Sequence, residues 1–236
     1  MLLVGGLINA IGGIPYYSAL KKDDTTEVTL LGQMSPILAL IMGVVFLGQM
    51  LTLGQGLAFV LITAAMLVLV FGAGKKMMKV ELTTGALMLA ACLFWVLSDV
   101  LFVSQAEGID FWAGFFWLIA GNTLGNVVMA IVMKSWRQDF RKFWRRERGK
   151  KILAMVASNG LWWIAEVAWR MGMLLMPVAI MSVMGNVMQL VLTFILGVIL
   201  TMIWPKFGRE KLRKKVILRH AVATVLIVVG VVIIGG

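Results

Sequence analysis

The chain has 236 residues, 61% of them hydrophobic and only 14% charged, with a net charge of +11 and a mean hydropathy of +0.97. A soluble domain is about half apolar and about a quarter charged, and a disordered chain is polar, so both are excluded and the composition points to a membrane protein. Cys92 is the only cysteine and His220 the only histidine, which excludes a disulfide framework within one chain and argues against a cysteine-based metal centre.

A bilayer core about 30 Å thick requires about 20 apolar residues in a helix. Eight such runs follow in chain order: Leu2 to Leu20, Val28 to Gln49, Leu53 to Gly72, Thr83 to Gln105, Phe111 to Met133, Ile152 to Arg170, Leu174 to Ile203, and Val216 to Gly235. They are far longer than the roughly 10-residue strands of a transmembrane barrel. The expected fold is therefore an all-α, polytopic transmembrane helix bundle of about eight spans. The first run lacks the basic leader and cleavage site of a signal peptide and reads as a retained helix, bent by Gly12, Gly13 and Pro15.

Basic residues alternate with these runs. Lys21 and Lys22 follow the first, and Lys75, Lys76 and Lys79 the third. Nine lie from Lys134 to Lys151 and seven from Lys206 to Arg219. Alternating helices place these 21 on one face and leave Arg170 alone on the other. By the positive-inside rule the basic loops, chiefly 134–151 and 204–215, are cytoplasmic and both termini lie outside. Charge dealt out in phase with helices is not a nucleic-acid surface, so no nucleic acid is expected as a partner.

In the loop 134–151, Trp136, Phe140, Phe143 and Trp144 stand at spacings of four, seven and eight, with Arg141, Lys142, Arg145 and Arg146 among them. Trp136, Trp144 and these four basic residues are the candidates for binding membrane lipid. The pattern suits a short helix lying among the headgroups and suits equally a solvated basic loop with interfacial aromatics.

Asp99, Glu166 and Arg170 are the charged residues that fall within apolar runs away from the basic loops. Ionised groups at that depth cost roughly 2.5 to 3.5 kcal/mol on insertion scales and face a cavity or a partner. Glu166 and Arg170 share a face at i, i+4. They form either a structural pair close to the outer interface or a site in which Glu166 couples to a proton or cation or anchors a substrate. Asp99, late in its run, either snorkels to the interface or contributes to such a site.

Asn9, Tyr16, Gln33, Asn122, Asn126, Asn159 and Asn186 either line a cavity or hydrogen-bond between helices. Trp162, Trp163 and Trp169 stack on an aromatic or cationic substrate or serve as an interfacial belt. Gly121 and Gly125 have the spacing of a close helix contact. There is no phosphate-binding loop and no partner for a catalytic histidine. No enzyme activity, catalytic residue, metal or cofactor is expected.

Laying residues 9–48 on 159–198 pairs two helices with two helices without a gap, with five identities, among them Asn9 with Asn159 and Met34 with Met184. Internal repeats of inverted topology are a common transporter design.

The stretch Tyr16-Tyr17-Ser18-Ala19-Leu20, then Ser35-Pro36-Ile37-Leu38-Ala39-Leu40, Phe46-Leu47-Gly48-Gln49 and a glycine-bearing helix from Gly54 resembles the second part of an EamA domain, of the drug/metabolite transporter superfamily. The family pattern is an Ala-Leu helix end, a Glu-Pro pair in the next helix and Leu-Gly-Glu at its end. Pro36 and Gly48 match, while Ser35 and Gln49 replace the glutamates. Thr84 to Gly236 resembles a complete second copy, with Asn186 in the place of the proline and without Leu-Gly-Glu.

The family has ten helices in two inverted five-helix repeats. The resemblance therefore implies two repeats of three plus five helices: a partial first over 1–74, a basic linker over 75–82 and a second over 83–236, the first two helices being absent. It implies a secondary-active permease for small metabolites or drugs, working by alternating access in the cell (inner) membrane, although the family is usually drawn with cytoplasmic termini. Glu166, Asp99, Asn159, Tyr16, Asn186 and Gln33 are the candidates for substrate binding and coupling. The alternatives are a non-transporting scaffold or anionic-lipid-binding protein and an inactive fragment of a transporter. A homodimer is one way in which a shortened chain would complete a transport path.

Overall fold

The computed structural model describes residues 1–23, 25–71, 81–105, 108–146, 149–203, 222–226, 228–230 and 232–233. Among the described residues there is no strand, and the helices are α1 (Leu2–Leu20), α2 (Thr25–Gly32), α3 (Ser35–Leu47), α4 (Leu53–Phe71), α5 (Leu82–Ser104), α6 (Phe111–Val132), α7 (Lys134–Arg146), α8 (Lys150–Leu175) and α9 (Val178–Ile203). In the last predicted run, residues 222–226 and 228–230 are helical, and its remainder lies mostly outside the described residues, as do the basic loop 204–215 and Lys75, Lys76 and Lys79. Helices α1, α5 and α6 are each long and apolar enough to cross a membrane. The architecture is an all-helical membrane bundle.

Three of the expected spans have different bounds, and proline is the cause at both of the breaks concerned. The run from Val28 to Gln49 is two helices, not one, separated by a turn at Gln33 and Met34. Pro36 has no N–H to give the carbonyl of Gly32, and its ring crowds that carbonyl. The Ser35 hydroxyl donates to the Gly32 carbonyl instead, at 2.9 Å. The break after α8 falls at Met176 and Pro177 instead of just beyond Arg170. Met176 is extended, with φ −150° and ψ 161°, because a residue before proline is pushed out of the helical region.

The ends of the other helices are capped by local chemistry. At the start of α4, Thr52 and Gln55 form a reciprocal capping box: the Thr52 N–H donates to Gln55 Oε1 at 3.0 Å and the Gln55 N–H to Thr52 Oγ1 at 3.2 Å. Asp110 accepts from the N–H groups of Trp112 and Ala113 at the start of α6. Helix α3 ends at Gly48, whose φ of +63° is open to glycine at little cost. The Gln49 N–H then turns back onto the Gly43 carbonyl at 3.1 Å, and Gln49 Oε1 accepts from the N–H of Val178 at 3.0 Å. Gln49 thus caps the first turn of α9.

The chain divides into two compact units, residues 1–17 with 90–176, and residues 18–89 with 177–236. In the first, Leu2, Phe102 and Leu118 form a buried cluster flanked by Val103 and Phe111. Helices α1 and α6 touch backbone to backbone. A methyl group on Gly6 would overlap the Leu118 carbonyl, one on Gly121 would overlap the Leu3 carbonyl, and one on Gly125 would come within 2.7 Å of Ala10 Cβ. Residue numbers rise together along this contact, so the two helices run parallel. The Gly121–Gly125 spacing is therefore a packing surface, as small residues permit close approach in membranes.

In the second unit, α9 packs against α3 and α4. Its core holds Ile62, Ala65, Val183, Val187, Val191 and Ala223, with Phe59, Met184 and Leu226 against it. In both units large apolar side chains face outward, Phe116, Ile131, Val45 and Val60 among them, an outer surface that water would reject and acyl chains solvate.

Candidate functional site

The first unit holds a buried arginine in contact with two carboxylates, one buried and one partly buried. Asp99 comes from α5, and Glu166 and Arg170 come from successive turns of α8. Arg170 donates from NH1 to Asp99 Oδ1 at 2.5 Å and from Nε to Glu166 Oε1 at 2.9 Å, with NH2 also 2.9 Å from Glu166 Oε1. Its guanidinium carbon lies 5.4 Å from the centre of the Phe102 ring, within cation–π range. Arg170 is 1% exposed and Asp99 7%.

This arrangement revises two expectations. Asp99 does not snorkel but is buried against Arg170. Arg170, expected at the end of its run, lies inside a helix, because α8 continues past it to Leu175. An ion pair at this depth persists only with close geometry and satisfied hydrogen bonds, since desolvation costs several kcal/mol per ion. The guanidinium is well suited, because its planar fork serves two carboxylates at once. Two carboxylates share one cation, so with all three groups ionised the cluster carries one negative charge in excess.

The remaining candidates lie elsewhere. Asn159 sits on an exposed part of α8 and donates to the Met155 carbonyl of its own helix at 2.8 Å. Asn186 likewise donates to Ser182 at 2.9 Å, within α9 of the second unit. Gln33, also in the second unit, donates to the Thr29 carbonyl at 3.3 Å, while its Oε1 is buried without a hydrogen-bond partner. Tyr16 belongs to an aromatic series in the first unit: Trp136 meets Tyr17 at 5.4 Å, Tyr17 meets Tyr16 at 5.3 Å, and Tyr16 meets Trp95 at 5.3 Å between ring centres. Trp95 stands one turn before Asp99 on α5.

A separate polar contact joins α1 to α6. Asn122 donates to Asn9 Oδ1 at 2.6 Å and accepts from Asn126 at 2.7 Å. Trp162 and Trp163 are largely exposed, and Trp163 meets the edge of Phe115 at 6.4 Å. The lipid-binding candidates lie on α7, where the chain is helical. Arg141 and Lys142 are exposed and Trp136 is half-buried. The backbones of Trp144, Arg145 and Arg146 continue the helix, and their side chains lie outside the described ones.

The Gln49 cap on α9 was not an expected function of that residue. Its only signal in the sequence is its place after Gly48, where the family pattern has a carboxylate.

Residues 1–71 match the model of the EamA-like transporter family. That segment is similar to the family. The matched segment contains the Ser35-Pro36 break and the Gly48-Gln49 helix end, the features on which the sequence resemblance rests. A solved structure described only as "Crystal structure of protein" is similar over 97% of this chain and 75% of its own, with 20% sequence identity and a TM-score of 0.67. At that identity the likeness concerns the fold. No curated protein matches the chain. The apolar helices suggest an integral membrane protein, and the family matched by residues 1–71 is one of transporters.

Proposed function

We propose that the chain is a secondary-active permease for small metabolites or drugs, working by alternating access between two inverted repeats, with Asp99, Arg170 and Glu166 as its coupling site. The observation that carries this reading is a single buried guanidinium shared by two carboxylates. A proton on one carboxylate, or a cation against it, balances the cluster, and its departure restores the imbalance. A cluster whose stability differs between those two states lets an ion gradient bias a conformational equilibrium. Glu166 is the exchanging group, since its side chain is the more open of the two, 16% exposed against 10% for Asp99. The gapless correspondence of residues 9–48 with 159–198 supports the repeat architecture.

The near-complete burial of Arg170 also favours a second reading, in which the three groups are a clamp fastening α5 to α8 and exchange nothing. A thermal-stability screen of the purified full chain against a metabolite and drug panel, at about pH 6 and about pH 8, separates the two. Binding to the native state raises stability by mass action, by about 2.7 kcal/mol at a hundred times Kd. The coupled carrier gives a compound-induced shift that differs between the two pH values in the wild type and is equal at both in Glu166→Gln. A shift that keeps its pH dependence in Glu166→Gln, with only the baseline stability lowered, establishes the clamp.

A further inference from the structure

We propose that α7 is a docking site for anionic phospholipid headgroups, held at the membrane surface by the contact of Trp136 with Tyr17. The helix carries six basic residues and one acidic residue, Asp139, in 13 positions. Only Met133 separates it from α6, a helix able to span the membrane. The last turn of α6 exposes Ile131 and Val132, apolar side chains that lie at acyl depth just before the chain turns. Met133 is extended, with φ −83° and ψ 109°, which redirects the chain into α7 at that level.

Trp136 fixes the start of α7 by its edge-to-face contact with Tyr17 near the end of α1, at 5.4 Å. One turn further on the same side, Phe140 is exposed, and Arg137, Arg141 and Lys142 are exposed as well. An exposed aromatic ring beside guanidinium groups gains nothing from a free anion in water. At the boundary between water and acyl chains the ring enters the apolar layer while the guanidinium fork meets phosphate. Complementary charge and the position at the end of a span therefore select the lipid headgroup as the occupant.

The test uses the purified full chain in a neutral detergent, titrated with phosphatidylglycerol, with phosphatidylcholine and with inorganic phosphate, reading the melting temperature. Phosphatidylglycerol is expected to raise it, and phosphatidylcholine and phosphate to leave it unchanged. Each basic residue near an anionic surface strengthens binding by roughly fivefold, so Arg137→Gln, Arg141→Gln and Lys142→Gln together should weaken the phosphatidylglycerol response about a hundredfold. Arg137→Lys with Arg141→Lys should retain it.

An equal response to phosphatidylcholine or to phosphate overturns the proposal, as does an undiminished response in the triple variant. If the triple variant does not fold, salt decides on the wild type. Ionic strength of about 1 M shortens electrostatic reach to about 3 Å and should abolish the response, and its persistence overturns the proposal equally.

Discussion

Arg170 is the residue on which the electrostatics of the first unit turn. Remove it, and Asp99 and Glu166 face each other in a site that water scarcely reaches. Breaking a buried pair by deleting one partner costs about 3–5 kcal/mol, so Arg170→Gln should lower the melting temperature of the detergent-purified chain by far more than Glu166→Gln. The latter leaves one carboxylate on one guanidinium. Arg170→Lys should fall between them, because an ammonium lacks the planar fork that serves two acceptors. If Arg170→Gln melts with the wild type, the contacts among these residues contribute nothing to the fold. Half of this site was legible beforehand: Glu166 and Arg170 stand one helical turn apart, a spacing any reader of the sequence can see. Asp99 lies 71 positions from Arg170, and no local pattern links the two, so burial and pairing emerge only when α5 and α8 pack.

At the level of the helices, the apolar runs announced where segments exist, and α1 has the expected bounds. The interior breaks were not placed, because counting apolar residues is blind to a proline, which is itself apolar enough to extend a run. Pro36 and Pro177 break helices for a backbone reason, a missing donor and a crowded carbonyl. The Thr52–Gln55 box, by contrast, has a sequence signature, Thr-x-x-Gln, which the count of apolar residues did not use. The geometry at Ser35 makes a conditional prediction. Ser35→Ala removes the hydroxyl's hydrogen bond to the Gly32 carbonyl and should cost about 0.5–1.5 kcal/mol, the net worth of a typical hydrogen bond. In a Pro36→Ala background the restored N–H can take that carbonyl, and the same change should then cost almost nothing. A double-mutant cycle from thermal melts checks this, and additive effects would show that the Ser35 hydroxyl is not standing in for the missing N–H.

For the molecule as a whole, the parallel run of α1 and α6 brings Tyr17 and Trp136 to one end of the first unit, the end that bears the basic α7. We propose, from the positive-inside rule, that this end faces the cytoplasm. With Cys92 replaced by alanine, a cysteine at position 141 should be shielded from a membrane-impermeant maleimide in intact cells and labelled once the cells are opened. Labelling of intact cells would reverse the orientation. The charge pattern that supports this prediction was plain in the sequence, whereas the assembly of each unit from distant stretches was not, because the pairing of Gly6 with Gly121 is written in small residues that look alike everywhere. That assembly bears on biosynthesis. Asn9 meets its partner Asn122 only after 113 further residues have been made, and at about 5–20 residues per second the ribosome takes roughly 6 to 23 seconds to supply them. For that interval the nascent α1 sits in the membrane with its carboxamide and its glycine face unpaired, so a chain slowed or stopped before α6 would present the quality-control proteases with a helix that has nowhere to pack.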